Sequence, residues 1–401
     1  MKKKFSVIFI FIAFAFTLSF AYFNSAKFIK SEGVNLFEAK ELEQNETIKS
    51  KSAYLIDAYS GEVLLEKNAI DRLPIASMCK IMTLLLSFEE IDSGNLSLDS
   101  DVVISENASG MGGSQVFLES GDSYKVSELI KSITVASAND ASYALAEKIC
   151  GSEELFVDKM NLKAKELGME NTHFTNCTGL PKVGQYSCAK DVAKMFSELI
   201  RHKDYFTFSR IWMDEIKHSN DRITQISNTN KLIRFYDGCD GGKTGYTGEA
   251  GHCLCATSKR GDTRLISVVI CAPDSKTRFS EVSSMFNYGF ANFVNKLIVD
   301  DNKPLDLKVE IDGGKQDFIK VKAEEPIFLF SKKDKKRNVE INFLPNERVK
   351  APIKCGDVVG KLSIFENGTE IRSVNVLSLE SVEKMTYFDY IKSIGENWGL
   401  I

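Results

Sequence analysis

The sequence has little histidine and no surplus of positive charge, and both shortages narrow what the protein can do. It has four histidines in 401 residues, and 51 lysines and arginines face 55 aspartates and glutamates. A nucleic-acid-binding chain normally carries a basic surplus, so the net charge of −4 gives no support for such a partner. No Gly-x-Ser-x-Gly or His-Glu-x-x-His occurs. This disfavours a Ser-His-Asp hydrolase and a zinc peptidase.

Long apolar runs are also scarce, and the clearest one lies at the N-terminus. Three lysines at positions 2–4 precede an apolar stretch over 5–20, and Ser19-Phe20-Ala21 at its end offers small residues for cleavage. This is the pattern of a secretory signal peptide, and we expect cleavage after Ala21. The protein would then be exported, either secreted or peripheral on the outer face of the cytoplasmic membrane. The alternative is an uncleaved anchor, since the run nearly reaches the about 20 residues that span a bilayer.

Nine cysteines in an exported chain would usually suggest disulfides. Their number is odd, however, and most have apolar neighbours, so we expect mainly small buried hydrophobic residues. His252, Cys253 and Cys255 lie close together but have no matching second pair of ligands. We therefore expect neither a metal site nor a cofactor.

The most informative stretch is Leu73–Leu86, which reads as the start of a buried helix. Pro74 suits a helix entrance and cannot lie deep inside a helix. Ser77 and Lys80 are three residues apart, which puts them on one helix face. Burial lowers the pKa of a lysine, and a neutral amine beside a serine can take the hydroxyl proton. Alone this signal is weak, because Ser-x-x-Lys occurs twice more in the chain.

A second motif, Ser137-Ala138-Asn139, lies between two apolar segments of the predicted helical region 126–150. Ser-x-Asn also occurs at three other places, but those copies lack this helical context. A serine and an asparagine at such a place can simply cap a helix, and this alternative stays open.

A third motif, Lys243-Thr244-Gly245, occurs once, in a glycine-rich segment that reads as a strand. Glycines there would let the backbone approach a ligand closely. Lys243 would then be a fixed positive charge facing an anion such as a carboxylate. The alternative is a hairpin turn with a solvated lysine.

The rest of the chain divides by composition. We assign 1–21 to the signal peptide and 22–51 to a linker. A hairpin over 53–66 follows, and we predict helices over 153–168, 191–200 and 281–297. Short alternating runs predict a small antiparallel β domain over 305–379, and 381–401 is an amphipathic tail. The tail could lie on a membrane surface or pack on its own β domain.

In this order, the three motifs are the pattern of penicillin-binding proteins and class A β-lactamases. From about Ala53 to Phe293 the chain resembles the serine-type D-alanyl-D-alanine carboxypeptidases, the low-molecular-mass penicillin-binding proteins of bacteria. The resemblance implies an α+β fold with a catalytic domain over 52–297, followed by the small antiparallel β domain. That catalytic domain is a penicillin-binding-protein/β-lactamase-like antiparallel sheet flanked by helices, plus an all-helical part. Cys79 and His252 depart from the family's usual residues, which are threonine and an aromatic.

The resemblance also implies roles for four catalytic residues. Ser77 would be the nucleophile that attacks the penultimate D-alanine, and Lys80 would be its general base. Ser137 would relay a proton to the leaving D-alanine, and Asn139 would hold the substrate amide and Lys80.

The substrate-binding residues would lie on the third motif's strand. Lys243 and Thr244 would bind the terminal carboxylate, and Gly245, Tyr246 and Thr247 would continue the site. Backbone N–H groups of Ser77 and Tyr246 would form the oxyanion hole.

The implied activity is removal of the terminal D-alanine from peptidoglycan stem pentapeptides through an acyl-enzyme, with β-lactams as inhibitors. An endopeptidase that cuts D-alanine cross-links and a β-lactamase are alternatives on the same fold. Ala138 and the C-terminal domain argue against the β-lactamase. A non-catalytic wall-binding protein is a third alternative, which the presence of all the named groups disfavours.

Overall fold

The computed structural model describes residues 28–30, 48–219, 221–334, 337–346 and 348–391. The expected signal peptide, most of the linker and the last ten residues of the tail lie outside this part of the chain. The chain divides into two units, Glu38–Val294 and a second one that combines Met1–Phe37 with Asn295–Ile401. The first described strand, β1 (Phe28–Lys30), belongs to the second unit. In the described part of the chain, no helix has the length and apolar character needed to cross a bilayer.

The larger unit contains a five-stranded antiparallel sheet in the order β3-β2-β10-β9-β8, which leaves β8 at one edge. These strands are β2 (Ser52–Asp57), β3 (Val63–Lys67), β8 (Cys239–Thr247), β9 (Gly251–Arg260) and β10 (Thr263–Ala272). Two short hairpins lie outside it, β4 (Asp101–Val103) with β5 (Ser123–Lys125) and β6 (Met213–Lys217) with β7 (Ile223–Ser227).

Helices cover this sheet and form a separate helical part. They are α1 (Lys80–Asp92), α2 (Glu106–Ser109), α3 (Val126–Lys131), α4 (Asn139–Cys150), α5 (Glu153–Glu166), α6 (Ala189–Leu199), α7 (Tyr205–Ser209), α8 (Leu232–Phe235) and α9 (Ser275–Asn292). Because α6 and α9 both pack on β10, that strand is buried on both of its faces. Helix α1 is buried over 80–88 because it is apolar nearly all round.

The predicted helical region 126–150 is interrupted where its motif lies. Helix α3 continues into a π-helical turn, Ser132–Ala136, and the chain then breaks at Ser137 and Ala138 before α4 begins. Ser137 has φ 62°, in the left-handed region that non-glycine residues seldom adopt. Such strain persists where the surrounding structure enforces it, often at functional sites.

The predicted helix over 281–297 is wrong at both ends. Helix α9 begins six residues earlier, where the Asp274 side chain accepts a hydrogen bond from the Thr277 N–H over 2.8 Å. It ends at Asn292, and β11 (Phe293–Val299) follows directly. The run from Phe293 onwards is apolar and partly β-branched, a composition that suits strands as well as helices.

The smaller unit contains the expected antiparallel β structure, in a five-stranded sheet of order β1-β16-β17-β18-β14 and two strand pairs, β11 with β15 and β12 with β13. These strands are β12 (Val309–Glu310), β13 (Phe318–Ile319), β14 (Val321–Ala323), β15 (Ile327–Lys332), β16 (Val339–Pro345), β17 (Val358–Glu366) and β18 (Thr369–Ser378). Alternate apolar side chains form its core. Arg337 and Glu366 form a buried, two-fold hydrogen-bonded ion pair within it. The α+β fold class is therefore confirmed.

Candidate active site

Ser77 lies in a strained turn at the entrance of α1. A 3₁₀ turn, Ala76–Cys79, precedes the helix, and residues three apart in such a turn eclipse each other. Ser77 and Lys80 therefore point the same way. Ala76 has φ 47°, a left-handed conformation that is costly for a residue with a Cβ. The Ser77 side chain itself is half-buried, so a substrate can reach it.

Two glycines allow other segments to press against this turn. A Cβ at Gly179 would lie 2.1 Å from the Ala76 carbonyl oxygen, and a Cβ at Gly245 would lie 2.6 Å from the Ile75 carbonyl oxygen. Neither position can accommodate a side chain without movement of the backbone. The loop that carries Gly179 and the edge strand β8 therefore both lie directly beside the Ser77 turn.

The Lys80 amine is fully buried and has three partners. Nζ lies 3.1 Å from Ser77 Oγ, 2.5 Å from Asn139 Oδ1 and 2.5 Å from the Thr178 carbonyl oxygen. A neutral amine has two protons to donate and one lone pair. The two carbonyl oxygens can accept both protons, which leaves the lone pair for the Ser77 hydroxyl proton. Burial lowers the pKa of Lys80 to about 8 and so favours this neutral form.

Ser137 and Asn139 lie on either side of the break before α4. The Asn139 side chain accepts from Lys80 and donates to the Gly112 carbonyl oxygen over 2.6 Å. Ser137 Oγ accepts a hydrogen bond from Lys243 Nζ over 2.7 Å. Ser137 ends the preceding turn as its C-cap, through its backbone N–H, so the cap alternative holds for its backbone. Its side chain caps neither element, because the N-cap of α4 is Ala138 and no side chain caps that end.

Lys243 is 2 % exposed and lies within strand β8, so the alternative of a solvated lysine in a turn is wrong. Burial, with Lys80 and Arg278 as neighbouring positive charges, holds the pKa of Lys243 well below its usual value. A buried cation in this state gains from an added negative charge. The next residue, Thr244, donates from its hydroxyl to Thr229 Oγ1 over 2.8 Å.

Tyr246 and Thr247 are the last two residues of β8, next to the turn that leads into β9. Tyr246 is 61 % exposed, and its ring lies 4.4 Å from that of His252, its register partner on β9. The Thr247 hydroxyl accepts a hydrogen bond from the Ala250 N–H and so stabilises the turn between the two strands. Tyr246 therefore presents a ring surface to solvent, whereas the Thr247 hydroxyl serves the turn.

Two residues that the sequence motifs do not predict support this strand. Arg278, on α9, is buried and donates from Nη1 to the carbonyl oxygens of Gly245 (3.0 Å) and Cys253 (3.3 Å). Thr229 bonds to Thr244 through its side chain and to the Val135 carbonyl oxygen through its N–H. No local pattern marks either residue, because their partners are distant in the sequence.

Two protein-family models match the chain. The family model for D-alanyl-D-alanine carboxypeptidases matches residues 38–274. The model for the C-terminal domain of penicillin-binding protein 5 matches residues 293–384. The chain is 41 % identical over 350 residues to the D-alanyl-D-alanine carboxypeptidase DacF of Bacillus subtilis, covering 87 % of this chain and 90 % of that protein. It is 32 % identical to DacC of Escherichia coli, covering 88 % and 89 %.

Solved structures show the same relationship. Penicillin-binding protein 5 of Haemophilus influenzae superposes with a TM-score of 0.65 at 30 % identity, covering 84 % of this chain and 98 % of that one. A peptidoglycan synthesis regulatory factor, PBP3 of Streptococcus pneumoniae, superposes with a TM-score of 0.67 at 28 % identity, covering 84 % and 100 %. The chain belongs to the family of D-alanyl-D-alanine carboxypeptidases, the serine hydrolases among the low-molecular-mass penicillin-binding proteins.

Proposed function

We propose that this carboxypeptidase releases the terminal D-alanine of peptidoglycan stem pentapeptides through an ester on Ser77. The observation that carries the proposal is the environment of Lys80. Its amine lies within hydrogen-bond distance of Ser77 Oγ and is buried between two carbonyl acceptors. That combination makes it a base for the serine at neutral to mildly alkaline pH.

Acylation begins when Ser77 Oγ attacks the carbonyl carbon of the penultimate D-alanine and its proton passes to Lys80 Nζ. The carbonyl oxygen becomes an oxyanion, which the backbone N–H groups of Ser77 and Tyr246 stabilise. The C–N bond then breaks as Ser137 Oγ gives a proton to the nitrogen of the leaving D-alanine. Ser137 Oγ then regains a proton, the one that Lys80 took from Ser77. The products of this half-reaction are free D-alanine and the Ser77 ester.

Deacylation reverses the roles with water. Lys80 takes a proton from a water molecule that attacks the ester carbonyl, and returns it to Ser77 Oγ as the ester bond breaks. A β-lactam would acylate Ser77 by the same first step. Its leaving nitrogen stays tethered to the acyl group, which accounts for inhibition when hydrolysis of that ester is slow.

The substrate carboxylate would be bound by Lys243 and the Thr244 hydroxyl. A bound carboxylate would offset the positive charges of Lys243 and Arg278, and so would favour the charged form of Lys243. Gly245 lets the strand lie close to the Ser77 turn. Tyr246 and Thr247 would contact the remainder of the peptide at the strand's open end.

We also propose that the protein works outside the cytoplasm, where peptidoglycan lies. Support comes from the basic and apolar pattern over 1–21 and from the family's substrate. In this proposal 52–297 form the catalytic domain and 305–379 the small β domain. The tail over 381–401 would contact the membrane peripherally. Its described part is helical from 387 to 391, and Tyr387 and Phe388 are exposed there.

Mass spectrometry after benzylpenicillin treatment tests the nucleophile. We expect one penicilloyl group, on the tryptic peptide that contains Ser77. S381A is a matched control, because Ser381 lies in another Ser-x-x-Lys sequence and is exposed. An adduct elsewhere contradicts the assignment, and one that disappears within seconds supports a β-lactamase instead.

Release of D-alanine from a stem pentapeptide tests the reaction itself. The wild type and S381A should release it, and S77A should not. If the wild-type protein binds penicillin but releases no D-alanine, the proposed carboxypeptidase activity is contradicted.

A further inference from the structure

Asp140, the residue after the second motif, has a fully buried carboxylate that the reaction steps above do not use. It accepts hydrogen bonds from the N–H groups of Val116 (3.1 Å), Leu118 (3.1 Å) and Ala141 (2.9 Å). A buried carboxylate held by backbone N–H groups is a costly arrangement unless every bond is made. The loop that supplies two of these donors therefore folds around Asp140.

The same loop, residues 112–118, is also hydrogen-bonded to Asn139. The Asn139 N–H donates to the Ser114 carbonyl oxygen over 2.7 Å, and its side chain donates to the Gly112 carbonyl oxygen. Phe117 lies between the two donors to Asp140, with φ 63° and an exposed side chain. A left-handed conformation of a bulky residue needs external enforcement, which the bonds on either side of it supply.

Asp140 also bears on the charge of the site. The groups that interact with Lys80 are the thiols of Cys79 and Cys177, the Asp140 carboxylate and the Lys243 ammonium. Burial raises the pKa of both thiols, so both stay neutral at ordinary pH. Burial raises the pKa of Asp140 too, whereas the hydrogen bonds from backbone N–H groups favour its carboxylate form. As a carboxylate, Asp140 favours the protonated form of Lys80.

We propose that Asp140 is a positioning residue for acylation, which holds the 112–118 loop against Asn139 and stabilises the protonated form of Lys80. The inference rests on the proposed function, because it assumes that Lys80 is the base. His218 also interacts electrostatically with Asp140, and burial and Arg222 lower the pKa of this histidine, whereas Glu119, Asp122 and Asp140 raise it. That histidine is bonded on both ring nitrogens, to Tyr124 and Thr224.

The Asp140→Asn variant distinguishes a positioning role in acylation from a role in fold stability alone. The amide keeps the size of the side chain but has one acceptor oxygen, so its NH₂ group would face a backbone donor and displace the loop. Loss of the negative charge lowers the pKa of Lys80. We expect the acylation rate with a fluorescent penicillin to fall about tenfold or more at its plateau. The acidic limb of its pH profile should move to lower pH.

Asp191→Asn is the matched control. Asp191 is also a buried carboxylate that holds a loop, through the Asn171 N–H (2.8 Å) and the Thr172 hydroxyl (2.9 Å), and its charged neighbour is Lys194. We expect this variant to lose stability while the pH limb stays in place. Asp140→Glu restores the charge at a shifted position, so it should return the limb towards the wild-type pH with a reduced plateau.

The proposal is overturned if the acidic side of the pH profile of acylation stays in place in D140N, or if it shifts equally in D191N. Should D140N not fold, amide hydrogen exchange of the wild type decides: the N–H groups of Val116 and Leu118 should be strongly protected, and rapid exchange of both overturns it. A wild type that binds penicillin at Ser77 but releases no D-alanine refutes the proposed reaction and leaves the acylation test of Asp140 intact.

Discussion

The Lys243 ammonium donates to the Ser137 hydroxyl over 2.7 Å, although 106 residues separate the two in the chain. This bond joins the edge strand of the sheet to the break between two helices. Asn139, two residues further on, accepts from Lys80, which in turn contacts Ser77. Side-chain hydrogen bonds thereby link the three motifs into one polar network at the N-terminal end of α1.

Loss of the Lys243 charge should weaken turnover of peptides with a free C-terminus. We expect K243M to lower kcat/KM for D-alanine release by about 10- to 100-fold, the range of one lost charge-assisted hydrogen bond. K259M, at an exposed lysine of the neighbouring strand β9, should keep wild-type kinetics. A pentapeptide amide, which lacks the carboxylate, should be a poor substrate for wild type and should not be worsened further by K243M. Equal losses with both peptides would contradict carboxylate binding by this residue.

The pH dependence of acylation should follow Lys80. The amine must be neutral to accept the serine proton, and it is neutral above its pKa of about 8. The second-order rate of penicillin acylation should therefore rise with pH up to about 8 and level off above it. K80R keeps the positive charge at every accessible pH and should show no acylation. A wild-type rate that is flat between pH 6 and 9 would rule out this base.

Gly179→Ala should disrupt the turn that carries Ser77. The added Cβ would meet the Ala76 carbonyl oxygen at 2.1 Å, and the residue has φ +79°. We expect a loss of about 3 kcal/mol or more in the free energy of unfolding, together with a large loss of acylation.

Gly184→Ala in the same loop isolates the backbone contribution. Gly184 has φ +87°, but an added Cβ would lie 3.7 Å from its nearest neighbour, Thr175 Cγ2. The substitution should cost only about 1–2 kcal/mol and leave acylation nearly unchanged. Urea denaturation of both variants measures the difference, and equal losses would show that close approach to Ala76 is unimportant.

Cys79, between the two motif residues Ser77 and Lys80, should be unreactive in the folded protein. Burial raises its thiol pKa to about 12, and Sγ donates to the Asn176 carbonyl oxygen over 3.2 Å. Iodoacetamide at pH 8 should alkylate the exposed Cys355 first and reach Cys79 only after denaturation. C79T keeps a donor of similar size and should retain activity. Rapid alkylation of native Cys79 would contradict the burial that gives Lys80 its lowered pKa.

Local spacing was enough to predict that Ser77 and Lys80 lie on one face of a helical turn and that Lys243-Thr244-Gly245 lies on a strand. The boundary between α9 and β11 was predicted wrongly, because one apolar run suits both a helix and a strand. Arg278 and Asp140 carry no local signal, because the groups they hold belong to loops and strands distant in the chain.

The sequence by itself determined which functional groups the protein has and in what order, and with them the family and its chemistry. The tertiary structure decided the state of those groups. Burial of Lys80 between Asn139 and the Thr178 carbonyl lowers its pKa, and the fold brings Lys243, on β8, within hydrogen-bond distance of Ser137, at the break before α4. These effects depend on desolvation and on distances between segments, which arise only when the helical part and the sheet pack together.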